Sequence, residues 1–177
     1  IFDEDASSTP SYIPFRYITS LGGTMPTVGM IYGGDEWTRP KIIAQGSSFI
    51  IQCVRQTGSF PYTNTLFAFR YDANATLVQS IQLSTRTISF FYFPEPVPDG
   101  HGGFYIAFNT GNPANAALTD LYVQRMRANG SLWNEEGTEL MTGTTTQRYG
   151  GALAVINDDD GLMFPIKVTN TAQSAGG

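Results

Sequence analysis

Three consecutive aspartates form the chain's clearest candidate for metal binding. Asp158, Asp159 and Asp160 are followed directly by Gly161. An acidic turn offers both carboxylate and backbone carbonyl oxygens, which are the ligands that Ca²⁺ prefers. The sequence therefore makes this segment a candidate calcium site. The full calcium-loop pattern with a distal glutamate is missing, so an exposed hairpin turn is the competing interpretation of the same residues.

Aromatic residues near a loop form the candidate ligand-binding group. Phe60 and Tyr62 lie among the turn residues of segment 57–62, and Trp37 adds a third ring. The apolar faces of sugars match aromatic rings in shape, and exposed aromatic side chains in loops are typical of binding surfaces. Trp37, Phe60 and Tyr62 are therefore candidates for stacking on a glycan. Burial between layers of sheet is the alternative fate of these rings.

The residue types that catalysis needs do not occur in a catalytic pattern. His101 is the only histidine, and no Gly-x-Ser-x-Gly motif accompanies it to support a triad with Ser84 or Asp99. Residues 132–140 are predicted to form a strand. The adjacent Glu135 and Glu136 would point to opposite faces of that strand and could not form the carboxylate pair of a glycosidase. We expect a protein that is not an enzyme, with a glycoside hydrolase as the alternative.

The composition excludes several classes of partner. Charged residues make up 14% of the chain, the net charge is −5, and the lysines and arginines form no cluster. Because nucleic acids and anionic membrane surfaces are bound by clustered basic residues, we expect neither as a partner. No apolar run reaches the roughly 18 residues of a membrane-spanning helix. The single cysteine, Cys53, lies in an apolar run and is predicted to be buried.

A recurrence at a fixed offset predicts the fold. Segment 66–77 matches segment 121–132 at five identical positions, and segment 49–51 falls on segment 104–106 at the same offset of 55 residues. Short apolar runs separated by Gly, Pro and Asn predict short strands joined by turns, among them strands at 49–55 and 104–109. Four such strands over about 40–50 residues have the size of a propeller blade. We therefore expect an all-β protein built from four-stranded antiparallel blades.

The recurrence also divides the chain. Residues 1–38 are predicted to form a tail with one or two strands, and residues 39–177 propeller-type repeats. The repeats are 39–87, 88–143 and a partial third, 144–177. Because propellers close with about four to eight blades, three units predict an incomplete ring. A two-sheet β-sandwich is the alternative fold.

The second unit contains a series of short motifs in a fixed order. They are Asp-Gly-x-Gly-Gly at 99–103, Gln-Arg at 124–125, Asn-Gly at 129–130, and Trp133 followed four residues later by Gly137. In this series the chain resembles a repeat of secreted and surface-exposed bacterial β-propeller proteins, especially those of gliding and gut-type Gram-negative lineages. The resemblance covers about one repeat well, a second weakly and a third in part. The first unit lacks the Asp-Gly turn.

The resemblance implies a location and a role. It implies a secreted or cell-surface protein of a bacterium, associated with the outer membrane, and a non-enzymatic interaction or display function without catalytic residues. An incomplete set of blades leaves sheet edges unpaired, and unpaired edges invite strand addition. We therefore expect a non-catalytic interaction module that binds a protein partner, or other repeats of the same protein, in an outer-membrane or secretion assembly. The alternatives are a carbohydrate-binding module or glycosidase fragment, and a structural spacer of a larger surface protein. No cofactor other than calcium is expected.

Overall fold

Every regular element that the structure describes is a β-strand. The computed structural model describes residues 13–15, 29–31, 36–59, 62–89, 95–112, 115–141, 146–150, 154–155, 162–163 and 166–170. The strands are β1 (Ile13–Phe15), β2 (Gly29–Ile31), β3 (Glu36–Gln45), β4 (Ser48–Thr57), β5 (Thr63–Tyr71), β6 (Leu77–Gln82), β7 (Val97–Pro98), β8 (Phe104–Asn112), β9 (Asn115–Met126), β10 (Thr138–Met141), β11 (Thr146–Gly150), β12 (Ala154–Val155), β13 (Leu162–Met163) and β14 (Ile166–Asn170). The predicted all-β class is confirmed, since no helix occurs in these ranges.

Two four-stranded antiparallel sheets contain most of the described residues. The first sheet has the order β3-β4-β5-β6 and the second the order β7-β8-β9-β10. Each strand therefore pairs with the next one along the chain, which makes both sheets meanders. The predicted four-stranded antiparallel sheets are confirmed. The described strands do not close into a ring.

The strands outside these sheets form three two-stranded antiparallel pairs. β1 pairs with β2 in the N-terminal segment. In the C-terminal segment β11 pairs with β14, and β12 pairs with β13. The segment predicted as a partial third unit thus contains four described strands, in a pairing order that differs from that of the two larger sheets.

One buried apolar cluster contains side chains from both large sheets. On β8, alternation places Phe104, Ile106 and Phe108 on the same face, because successive side chains of a strand point to opposite sides. These three residues lie in the same cluster as Ile50 and Val54 of β4. We call this cluster the inter-sheet core. Its members are Ile43, Ile50, Val54, Leu66, Ala68, Leu83, Ile88, Phe104, Ile106, Phe108, Tyr122 and Met126.

The opposite face of the first sheet carries a second, aromatic cluster. Trp37 packs edge-on against Phe67 and Phe69, with ring centroids 5.4 and 5.2 Å apart. Phe49 stacks on Tyr71 at 5.2 Å. We call this the outer aromatic cluster. Its buried members are Ile13, Phe15, Ile31, Trp37, Ile51, Cys53, Phe69 and Tyr71. β1 and β2 therefore help to cover this face.

The burial of Cys53 predicts an inert thiol. Its side chain is fully buried, and burial raises the pKa of the thiol, so the reactive thiolate is scarce. We expect an alkylating reagent at pH 8 to label folded protein at least about a thousandfold more slowly than unfolded protein, the order of a small domain's unfolding equilibrium constant. Mass spectrometry of timed samples measures both rates, with the urea-unfolded chain as the control. Equal rates would contradict the placement of Cys53 in the outer aromatic cluster.

Candidate functional site

Asp99 organises the glycine-rich turn between β7 and β8. Its Oδ1 accepts hydrogen bonds from the backbone N–H of His101 at 2.9 Å and of Gly103 at 2.8 Å. Gly100 and Gly102 have φ values of 78° and 81°, in a region that side chains disfavour. The Asp-Gly-x-Gly-Gly motif is therefore a turn that its own aspartate holds in shape. His101 is exposed at the surface of this turn.

Arg125 of β9 binds the other oxygen of the same carboxylate. Its Nε lies 2.9 Å and its Nη2 2.8 Å from Oδ2 of Asp99. The two side chains are 7% and 1% exposed. The guanidinium also lies over the ring of Tyr105, 5.1 Å from its centroid, and Trp133 packs against that ring at 5.4 Å. We call these four residues the Asp99 cluster.

The protonation of Asp99 follows from these contacts. Burial alone would raise the pKa of Asp99, but the hydrogen bonds from His101 and Gly103 and the charge of Arg125 together lower it below its ordinary value. Both carboxylate oxygens thus accept hydrogen bonds from the protein, and the ionised form is stabilised. A carboxylate in this state is a poor proton acceptor for a substrate, so the cluster is suited to holding the turn rather than to catalysis.

A buried amide links the second sheet to the first. Gln124 Nε2 donates to the carbonyl of Leu83, directly after β6, at 2.9 Å, and to that of Asn134 at 2.6 Å. Its Oε1 accepts from the N–H of Trp133 at 3.2 Å. Sequence reasoning used the Gln-Arg pair only as part of a motif. Alternation along β9 could have assigned the side chains of Gln124 and Arg125 to opposite faces of the sheet. It could not have identified the groups that they bind.

The two adjacent glutamates lie where sequence reasoning did not place them. Residues 132–140 were expected to form the last strand of the second unit, whereas β10 begins at Thr138. Glu136 precedes it and forms an ion pair with Arg86, Oε2 to Nη2 at 2.5 Å. Ser84 Oγ donates to the carbonyl of Glu136 at 2.8 Å, and the N–H of Thr85 donates to that of Glu135 at 3.0 Å. These contacts also join the sheets.

The predicted ligand-binding rings differ in their exposure. Trp37 is 8% exposed, lies in the outer aromatic cluster and has the guanidinium of Arg55 at 5.9 Å from its ring. Its ring is therefore used in packing. Tyr62 is 40% exposed in the loop between β4 and β5. Phe60 lies outside the described residues. Of the two described candidates, Tyr62 is the one with an exposed ring. Its stacking on a ligand stays a prediction.

The segment predicted to bind calcium stays a candidate. Asp158, Asp159 and Asp160 lie outside the described residues, so a calcium site there stays a prediction. Within the described ranges, no group of three or more His, Cys, Asp or Glu side chains is arranged to hold a metal ion. The same ranges contain no helix of the length and apolarity needed to cross a membrane.

Four strands form the edges of the two large sheets, and they differ in composition. Natural edge strands carry charges or prolines that discourage pairing with another chain. β3 contains Glu36, Arg39, Pro40 and Lys41, β7 contains Pro98 and β10 contains Glu139. β6, with the sequence Leu-Val-Gln-Ser-Ile-Gln, has neither a charge nor a proline. Its Leu77 and Val78 are 50% and 57% exposed.

The backbone of β6 presents unpaired groups on its outer side. The N–H of Leu83 donates to the carbonyl of Leu66 at 2.8 Å, in register with the β5–β6 pairing. Because inward and outward groups alternate along an antiparallel strand, Ile81 bonds to β5, and the N–H and C=O of Ser80 and Gln82 point away from it. No described strand pairs with this outer side. We call it the β6 edge.

Comparison of the chain with known proteins finds no relative. The chain matches no protein-family model, no curated protein and no solved structure. The candidate site is therefore defined by its own contacts, and the resemblance of the second unit to bacterial propeller repeats stays a prediction.

Replacement of Asp99 tests the buried ion pair. We expect Asp99→Asn to lower the free energy of unfolding at pH 7 by about 3–5 kcal/mol, because Arg125 stays buried without a counter-charge. The pKa of Asp99 is lowered by folding, so its contribution is present above the ordinary aspartate pKa of about 3.9 and is lost as pH falls through the folded value. Urea unfolding between pH 2 and 7 should therefore show a flatter pH dependence for the variant.

A matched control is available in the first sheet. Asp72 Oδ1 accepts from the N–H of Asn74 and of Thr76, each at 2.9 Å, in an exposed turn. Asparagine supports such turns equally well, so Asp72→Asn should change stability by less than about 1 kcal/mol. Equal losses from the two substitutions would show that the ion pair contributes nothing beyond the turn.

Substitution of Gly103 tests how closely the turn between β7 and β8 approaches β9. A Cβ at Gly103 would overlap the carbonyl oxygen of Met126 and lie 2.7 Å from Oδ2 of Asp99. We expect Gly103→Ala to destabilise the fold by about 1–3 kcal/mol, as overpacking does. The control is Gly111→Ala on β8, where a Cβ would meet nothing within 4 Å, and where we expect no loss. Thermal unfolding of both variants measures the difference, and a stable Gly103→Ala variant would refute the close approach.

Proposed function

We propose that the chain is a non-catalytic module that binds a protein partner through the β6 edge. We place it at the surface of a bacterium, secreted or held in an outer-membrane or secretion assembly. The observation that carries the proposal is the contrast among the four edge strands. Three of them carry a charge or a proline, and β6 carries neither while exposing Leu77 and Val78. An unprotected edge is the kind of surface to which an extended segment adds as a further strand.

The placement of the charged residues supports a role without chemistry. Asp99 and Arg125 neutralise each other in the interior, and Arg86 and Glu136 pair across the junction of the sheets. The hydroxyl of Ser84 donates to a backbone carbonyl, so it is engaged in the fold. Each of these groups has a structural task that accounts for its position.

We also propose that the two large sheets are successive blades of a propeller. Their identical strand order, the shared inter-sheet core and the offset of 55 residues support this arrangement. The recurring positions fall on corresponding strands, for example Arg70 on β5 and Arg125 on β9. A β-sandwich of the same two sheets is the alternative, and crystallography of the chain would distinguish the two by the angle between the sheets.

Binding to bacterial envelope protein tests the proposed function. Immobilised wild-type chain should retain protein from a solubilised envelope fraction of the source bacterium, and retention should fall at least about tenfold for Val78→Lys, which places a charge on the β6 edge. Val78→Thr, which keeps the strand uncharged, is the matched control. Quantitative mass spectrometry compares the three baits. Equal recovery by all three, or no recovery by any, would rule out this use of the edge.

A glycan array run in parallel examines the carbohydrate alternative. Retention of wild-type chain that Tyr62→Ala abolishes, with no effect of Val78→Lys, would favour a carbohydrate-binding module over a protein-binding one. Under the proposed function neither wild-type chain nor Tyr62→Ala is retained by glycans.

A further inference from the structure

We infer that the β6 edge pairs with the β6 edge of a second copy of this chain, antiparallel and about a twofold axis. The inference rests on the proposed function, because it names the protein that occupies the edge. The resulting sheet would run continuously through both copies, with eight strands.

The charge pattern of β6 permits pairing with itself. In a twofold antiparallel pair about Ile81, residues 80–82 lie opposite residues 82–80 of the second copy. Any charge would therefore come close to a like charge, and like charges opposite each other destabilise a sheet. Leu77–Gln82 contains no charged residue. Of the four edge strands, it is the only one with neither a charge nor a proline.

The backbone groups of β6 complement each other in one register. Ser80 opposite Gln82 of the second copy, and Gln82 opposite Ser80, would form two pairs in which both residues exchange N–H and C=O bonds, giving four hydrogen bonds. The same register sets Ile81 beside Ile81 of the second copy. Ile81 already packs against the inter-sheet core, so an apolar neighbour extends that surface.

The expected dimer is weak. A contact made by residues 80–82 of two strands is small beside the roughly 1,200–2,000 Å² of stable protein interfaces. Dimerisation should therefore depend on protein concentration over an accessible range. Cys53 is fully buried, so an intermolecular disulfide is not expected to imitate the dimer.

Analytical ultracentrifugation of the chain across a range of concentrations tests the inference. We expect a reversible monomer–dimer equilibrium, unchanged by reductant and by the uncharged control Ser80→Thr. Ser80→Lys should weaken dimerisation about five- to tenfold, since its two copies are diagonal neighbours across the axis, roughly 7–8 Å apart, and carry like charges. Hydrogen exchange should show protection of the Ser80 and Gln82 amides that increases with concentration.

A second variant guards against misfolding. Ser80→Pro removes an N–H that points away from β5, so the β5–β6 bonds remain, but pairing across the axis is lost. Circular dichroism establishes that each variant folds. A dimer that persists in both Ser80→Lys and Ser80→Pro, or a wild-type chain that is monomeric throughout, would overturn the inference. If the monomeric chain still binds envelope protein and Val78→Lys abolishes that binding, the proposed function survives while the second copy is excluded as the occupant.

Discussion

The buried ion pair between Asp99 and Arg125 is the constraint on which the second sheet depends. A charge inside a protein is tolerated only when an opposite charge and hydrogen bonds satisfy it. Asp99 meets this condition with Arg125 on one oxygen and two backbone N–H groups on the other. Because these partners come from the turn before β8 and from β9, the carboxylate fixes the position of the turn relative to both strands. The guanidinium of Arg125 lies over the ring of Tyr105, which packs against Trp133, and the pair is almost completely buried.

The polar bonds around Gln124 extend this order from one sheet to the next. Its side-chain amide bonds the chain directly after β6, while Ser84 and Arg86 bond the segment before β10. The inter-sheet core supplies the apolar surface that these bonds surround. The first sheet is thus held through its last strand's connection to the second sheet. No described strand pairs with the outer side of that same strand, so the edge proposed for binding belongs to a strand that these contacts hold in place.

The sequence predicts local features of this fold well, because turn chemistry and alternation act over a few residues. The Asp-Gly-x-Gly-Gly turn, the strands around 49–55 and 104–109 and the burial of Cys53 all follow from such patterns. The start of β10 was missed because Asn134 holds a bend with its side chain, accepting from the N–H of Gly137 at 2.6 Å. The partnership of Asp99 and Arg125 spans 26 residues, and spacing alone does not reveal which distant groups meet. The burial of Trp37 depends on which face of the sheet is covered by other strands. Alternation of side chains does not predict that coverage.

The meander order of both sheets has a consequence for how the chain folds as it emerges. Every strand of a large sheet pairs with its immediate successor, so loops between contacting segments are short and the contact order within each sheet is low. A meander can therefore assemble strand by strand, in the order in which residues leave a ribosome or a translocation pore. The first sheet needs nothing downstream to satisfy its ladder hydrogen bonds. The second sheet then covers the apolar face of the first sheet. This topology therefore suits a chain that is delivered unfolded from its N-terminus to its C-terminus.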